Sequence, residues 1–232
     1  MTQHPAYQQL VLDTLCTNLK DPIPVIRAKA AQALGQIGSQ QAIPRLLQQF
    51  KDPNPEVRRE VAKALGQLGR EQVLSALLQL LEDSEPHVRS SAAEALGNIG
   101  SERAILPLLG LLEDSKSDVR CCASKALGNI GSEQAIPGLL SLFTDSDVTV
   151  RQTAAIALGK LPSSTVLTPL LEALQQPNPI LRQTAAIALG QLNQEAAIPA
   201  LVQLLNDPDT QVRECAIEAL GKLGSAVEQS VV

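Results

Sequence analysis

The chain has 232 residues, 44% of them hydrophobic, yet only three aromatics: Tyr7, Phe50 and Phe143, with no Trp. Aromatics usually supply the bulk of a single central core, each burying ~150–250 Å², so a Leu, Ala, Ile and Val interior points to many thin, similar helix contacts instead. A net charge of -5 and a pI near 5.1 exclude the clustered basic surface that nucleic acid requires, and no stretch approaches the ~18 apolar residues of a membrane span.

The N-terminal segment MTQHPAYQQL has no basic stretch followed by an apolar run, so no signal peptide is read and a cytoplasmic location is expected. A first helix is predicted from about Ala6 to Leu19; its polar Gln8 and Gln9 suit a terminal cap. From there a fixed period takes over. Arg27, Arg58, Arg89, Arg120, Arg151, Arg182 and Arg213 are spaced 31 residues apart, and Gly35, Gly66, Gly97, Gly128, Gly159, Gly190 and Gly221 keep the same step. Each of these glycines follows a Leu, and each arginine follows an aliphatic residue.

Every unit reads as two helices. In residues 40–69, Ala42, Ile43, Leu46, Leu47 and Phe50 define a first helix at helical spacing. Lys51-Asp52-Pro53 interrupts it, Asn54 suits an N-cap and Pro55 the first helical position. Val57, Val61, Ala64, Leu65 and Leu68 form the stripe of the second helix, and Gly69 ends it as a left-handed C-cap. Equivalent pairs end near residues 38, 69, 100, 131, 162, 193 and 224, Pro162 and Asn193 standing in for Gly, with 225–232 as a polar tail. The expected architecture is all-α: one domain, 1–232, of seven two-helix repeats. The glycine inside each second helix costs ~1 kcal/mol against alanine. Its recurrence predicts close approach between neighbouring second helices, along a seam kept small by Ala33, Ala64 and their equivalents.

Six units carry Asp-x5-Arg: Asp21/Arg27, Asp52/Arg58, Asp83/Arg89, Asp114/Arg120, Asp145/Arg151 and Asp207/Arg213, with Gln176 breaking the series ahead of Arg182. Catalysis would not be written six times over, so the pairs read as a structural ladder, the arginine bridging its own or the neighbouring turn. The four cysteines form no Cys-x-x-Cys pair and no histidine spacing completes a ligand set, so neither metal nor cofactor is expected. Cys121 and Cys122 have Arg120 and Lys125 nearby but no activating His, and read as inert thiols.

The pattern D-P-x-P-x-V-R-x-x-A-A-x-A-L-G-x-[IL]-G resembles HEAT repeats, in the short form called PBS-lyase HEAT-like, over residues 20–224. The resemblance implies an α-α superhelix, with second helices lining its concave side, and non-enzymatic scaffold or adaptor work. Deoxyhypusine hydroxylases look similar but hold iron with His-Glu pairs; here His4 and His87 are the only histidines and neither precedes Glu. DNA glycosylases of this repeat type rely on aromatics and a basic face that the chain lacks. Phycobilin lyase subunits have the most similar repeats, which makes a chromophore-lyase subunit or phycobilisome maturation factor the alternative.

A protein partner is expected on the outward positions of the second helices. Ile156 and Ile187 are equivalent residues in adjacent repeats where other units carry charge or amide, ~10 Å apart by one helix spacing. With Cys121, Cys122, Gln152, Thr153, Gln183 and Thr184 they outline a weakly apolar patch. At the far end, Leu220 and Leu223 are expected to be incompletely covered, which leaves two expectations: a repeat array that is longer than these residues, or end-to-end self-association through the C-terminal repeat.

Overall fold

The computed structural model describes residues 4–69 and 71–230, and no strand occurs among them. Its contacts gather into two compact units, Met1–Leu111 and Leu112–Val232. The first contains α1 (His4–Asn18), α2 (Pro24–Ile37), α3 (Ile43–Leu46), α4 (Pro55–Leu68), α5 (Leu74–Leu80), α6 (Pro86–Ile99) and α7 (Ile105–Gly110). The second contains α8 (Ser117–Ile130), α9 (Ile136–Ser141), α10 (Val148–Leu158), α11 (Ser163–Ala173), α12 (Pro179–Leu192), α13 (Ile198–Gln203) and α14 (Thr210–Ser230). Odd-numbered helices are the first, and even-numbered the second, of each pair. Second helices pack side by side within each unit, α2 on α4 on α6, and α8 on α10 on α12 on α14. The fold is an α-α solenoid.

The local sequence accounts for the element ends. Asn54 Oδ1 accepts from the Glu56 and Val57 amides at 3.0 and 3.4 Å, while Asp147, Asn178 and Asp209 accept from Thr149, Ile180 and Gln211 in the same way. Gly38, Gly69, Gly100, Gly131 and Asn193 close their helices at positive φ. Two expected ends differ. Gly224 is not a cap, because α14 runs on to Ser230; Ser-Ala-Val-Glu-Gln-Ser contains no breaker, and one interior glycine costs only ~1 kcal/mol. The tail is therefore helical through Ser230, and residues 231–232 lie outside the described ones. In the fifth repeat α10 stops at Leu158, and Pro162 serves as the N-cap of α11.

First helices are shorter than the apolar spacing predicts. Most enter through a 3-10 turn, such as Gln40–Ala42, before a brief α segment. In three of these repeats a proline fits the break: Pro44, Pro137 and Pro199 sit in the first turn of α3, α9 and α13, where the missing N–H is harmless but cannot extend a ladder from upstream. Ser75 and Leu106 hold the same place in repeats that keep the 3-10 entry, whereas in the sixth repeat, with Thr168 there, α11 is one continuous helix that contains Pro169.

The core is a file of leucines: Leu34, Leu65, Leu96, Leu127, Leu158 and Leu189 are all fully buried. Each contributes roughly 1.5–3 kcal/mol of burial. Beside them runs the predicted small-residue seam. A Cβ on Gly35 would lie 2.8 Å from Ala64 Cα, one on Gly66 2.8 Å from Ala95 Cα, and one on Gly128 2.8 Å from Ala157 Cα. These glycines exist to let backbones touch.

The ladder has a different connectivity from the local pairing that the spacing invites. Four arginines grip the aspartate of the following repeat: Arg27 holds Asp52 at 2.7 and 2.9 Å, Arg58 holds Asp83, Arg120 holds Asp145 and Arg182 holds Asp207. The remaining nitrogen of each, Nη1, donates to the backbone carbonyl at the aspartate position of its own repeat, as Arg27 does to Asp21 O at 2.7 Å. Arg89, Arg151 and Arg213 make that same carbonyl contact, to Asp83, Asp145 and Asp207. Asp114 Oδ1 accepts from the Lys116 amide. Gln176 therefore deprives Arg151 of a carboxylate, and leaves Arg182, the arginine of its own repeat, fully paired.

Candidate functional site

Second helices turn two rows of side chains away from the leucine core, and in the second unit those rows converge on a cavity. Gln152 and Ile156 of α10, Ile187 and Gln191 of α12, and Cys215, Glu218, Ala219 and Lys222 of α14 line a space of about 220 Å³. Ile156 is 46% exposed and Ile187 half-buried, so an aliphatic floor is presented between amide and charged walls. A cavity of this size takes one or two side chains of a protein partner rather than a whole cofactor.

The patch outlined from sequence is narrower than expected. Thr153 and Thr184 do not reach the surface: they are 7% and 3% exposed. Their hydroxyls donate to the carbonyls one turn earlier, Thr149 O at 2.6 Å and Ile180 O at 2.8 Å, which satisfies them inside the seam between second helices. Cys121 is buried as well, its Sγ 3.8 Å from Thr153 Oγ1, while Cys122 is half-buried. Gln183 lies half-buried, and its amide donates to Asp209 Oδ1 at 3.3 Å. Of the eight patch residues, Gln152, Ile156 and Ile187 meet at the cavity. Sequence reading placed Glu218 in the outward row of Ile156 and Ile187 and missed Gln191, Cys215 and Lys222. The signal was available, since Gln191 follows Ile187, and Lys222 follows Glu218, by one helical turn.

Thiol chemistry is disfavoured here. Burial pushes the Cys121 thiol up, against the opposing Thr153 hydrogen bond. Burial also raises Cys215, with the Glu218 and Glu214 carboxylates adding to it. Both are therefore poorer nucleophiles than an ordinary cysteine. Among the described residues no group of three or more His, Cys, Asp or Glu is placed to hold a metal ion, and no helix is long and apolar enough to cross a membrane.

The corresponding face of the first unit is polar. Lys63 and Gln67 of α4 and Ser91, Glu94 and Asn98 of α6 line an open space of about 280 Å³. Next to it Glu60, 7% exposed, receives Arg59 at 2.8 Å and Lys63 at 3.3 Å. Charge there is largely spent internally.

Comparison with known proteins is consistent in one respect, the repeat. A family model described as HEAT repeats matches residues 6–53, 43–121, 106–178 and 167–231. No curated protein matches the chain. Among solved structures, the complex of CpcE and CpcF of phycocyanin lyase from Nostoc sp. PCC7120 is similar at 24% identity and TM-score 0.61, over 92% of this chain and 94% of that one. YibA of E. coli is similar at 24% identity and TM-score 0.56, over 97% of each chain. A designed armadillo repeat protein in complex with the peptide (KR)4 is similar at 23% identity and TM-score 0.51, over 80% of this chain and all of that one. Likeness at this level concerns the fold.

Proposed function

The chain belongs to the HEAT-repeat family, and on that premise we propose that it is a non-enzymatic adaptor that holds a protein segment along the outward face of its second helices. The observation that supports this most is the cavity shared by α10, α12 and α14. Two isoleucines stand there at positions that carry charge or amide in the other repeats, and the second helices of three successive repeats contribute to one pocket. An aliphatic anchor of the partner fits over Ile156 and Ile187, while Gln152 and Gln191 offer donors and acceptors to its backbone.

The test replaces both isoleucines with lysine in the full chain and compares capture of partners from the native source. Loss of the captured protein at an unchanged melting temperature supports the reading, and undiminished capture overturns it. The fold shared with chains of phycocyanin lyase gives the second reading, a subunit assisting chromophore attachment. Incubation with a bilin, with and without a candidate partner subunit, separates the two: a visible absorbance shift requires chromophore binding, which an adaptor does not predict.

A further inference from the structure

We propose that a second copy of this chain docks head to tail, the outer face of the seventh repeat in one copy covering the outer face of the first repeat in the next. The argument starts from what the repeat junctions consist of. The standard junction pairs an arginine with the next repeat's aspartate, sets a helix glycine against the next repeat's alanine, and buries aliphatics on both sides, as at Arg27/Asp52 with Gly35/Ala64 and at Arg182/Asp207 with Gly190/Ala219. The first and last repeats each hold one half of such a junction.

On the first repeat the leading half is open. Val11 is 48% exposed, although Ala42, Val73, Ala104, Ala135, Val166 and Ala197 at the same position are all fully buried. Ile26 is 38% exposed where Val57, Val88, Val119, Val150 and Val212 show nothing. Ala33 is half-buried, and its seam equivalents are at most 2% exposed. Among the described residues the Asp21 carboxylate receives no guanidinium and takes the Ile23 amide at 2.8 Å, while Arg27 reaches Asp21 only at its backbone carbonyl. The face is also more apolar than the repeat requires. Ile23 fills the cap position that is polar in every later repeat, so it forgoes a cap hydrogen bond of ~1 kcal/mol and presents a side chain 53% exposed.

On the seventh repeat the trailing half is open. Ile217 is 60% exposed where Ala31, Ala62, Ala93, Ala155 and Ala186 are fully buried, and a large aliphatic replaces the small one there. Leu205 is 37% exposed against at most 4% for Leu81, Leu112, Phe143 and Leu174. A Cβ on Gly221 would meet nothing within 4 Å, whereas one on Gly190 would meet Ala219. Arg213 donates to Asp207 O, Pro208 O and Thr210 Oγ1 and, among the described residues, has no carboxylate. Leu223, expected to be bare, is instead 1% exposed; the opening lies at Ile217, Leu205 and the half-buried Leu220.

The two halves complement one another in charge and shape. Arg213 of one copy reaches Asp21 of the second copy as Arg182 reaches Asp207, Gly221 meets Ala33, and Ile217 and Leu205 cover Val11 and Ile26. A symmetric pairing of two first repeats would set Asp21 against Asp21 and leave both arginines unserved. The contact is heterologous, so copies add in one direction unless the array closes into a ring.

Sedimentation equilibrium of the full chain from about 1 µM to about 300 µM, a range spanning modest interface affinities, tests this. The mass should rise above the 24.6 kDa of one copy as concentration increases. Val11→Glu and Ile217→Glu, each replacing an exposed side chain, should separately weaken association on the order of tenfold or more. Mixed in equal amounts they should form a 1:1 complex of wild-type affinity, because one intact junction remains. A wild-type mass that stays at 24.6 kDa throughout overturns the proposal. So does self-association of Ile217→Glu at full strength, which would place the contact between first repeats.

Discussion

Between α12 and α14, Arg182 holds Asp207 at 2.7 and 2.8 Å, and Gly190 lets Ala219 approach so that an added Cβ would lie 2.9 Å from its Cα. Between α10 and α12 both devices change. Arg151 meets a repeat whose aspartate is Gln176, whose own amide turns back to Glu172 O at 3.4 Å, and a Cβ on Gly159 would meet Gln191 Cβ at 2.7 Å rather than an alanine. The altered junction is also where Ile156 and Ile187 line the cavity. One substitution removes the clamp, the seam shifts to a longer side chain, and the outward face there becomes the apolar one. A repeat array can thus specialise one step while leaving its neighbours standard.

The contrast has measurable consequences, the largest at the intact clamp. Asp207→Ala leaves the Arg182 guanidinium enclosed without its partner and strips the Asp209 amide of its acceptor, so denaturant unfolding should show a loss on the order of 3 kcal/mol. Gln176→Ala, the same row one repeat earlier, should cost less than about 0.5 kcal/mol. Equal losses would break the distinction between the junctions.

Glycine substitutions come next. Gly190→Ala forces Ala219 away and should destabilise by about 1–3 kcal/mol, whereas Gly221→Ala faces open space and should gain up to about 1 kcal/mol in thermal melts of dilute protein. The same Gly221→Ala change should weaken self-association, since the added methyl stands where Ala33 of the next copy would sit.

Restoring the missing carboxylate is a smaller effect. Gln176→Asp should pair with Arg151, add about 1 kcal/mol, and slow amide hydrogen exchange in α10 and α12 relative to wild type. Unchanged exchange would show that the seam, not the ladder, sets the difference.

The smallest effect per residue is acid sensitivity. The Arg182 hydrogen bonds hold the Asp207 carboxyl below its usual range, outweighing burial. For Asp83 and Asp145 burial pushes upward most strongly, yet the arginine hydrogen bonds, backbone amides and arginine charge together bring both below the ordinary value. A carboxylate depressed in the folded state stabilises it above the unfolded pKa. That stability is lost as pH falls from about 4 through the lower folded value. Unfolding midpoints should be flat from neutral pH to about 5 and drop below about 4, more steeply in Gln176→Asp if its new carboxylate joins the ladder.

Much of the fold was legible because identical steps repeat a local code. Caps such as Asn54 and Gly69, the Leu34 file and the Gly–Ala seam follow from helix periodicity and sterics, which act over a few residues. The cavity was half legible: Ile156 and Ile187 stood out by type, but Thr153 and Thr184 share their helix faces and are buried, and no spacing within a helix fixes how deeply a neighbouring helix covers it.

The sequence by itself determined the repeat, its helices and the rows that share a chemistry. Only the tertiary structure decided which copy of a row each side chain meets. With a period of 31, the aspartate 6 residues before an arginine and the one 25 residues after it occupy the same row, so sequence cannot choose between them. Packing chooses: the long guanidinium reaches across the seam to the next repeat, where its own backbone carbonyl and the neighbour's carboxylate are both within hydrogen-bond range.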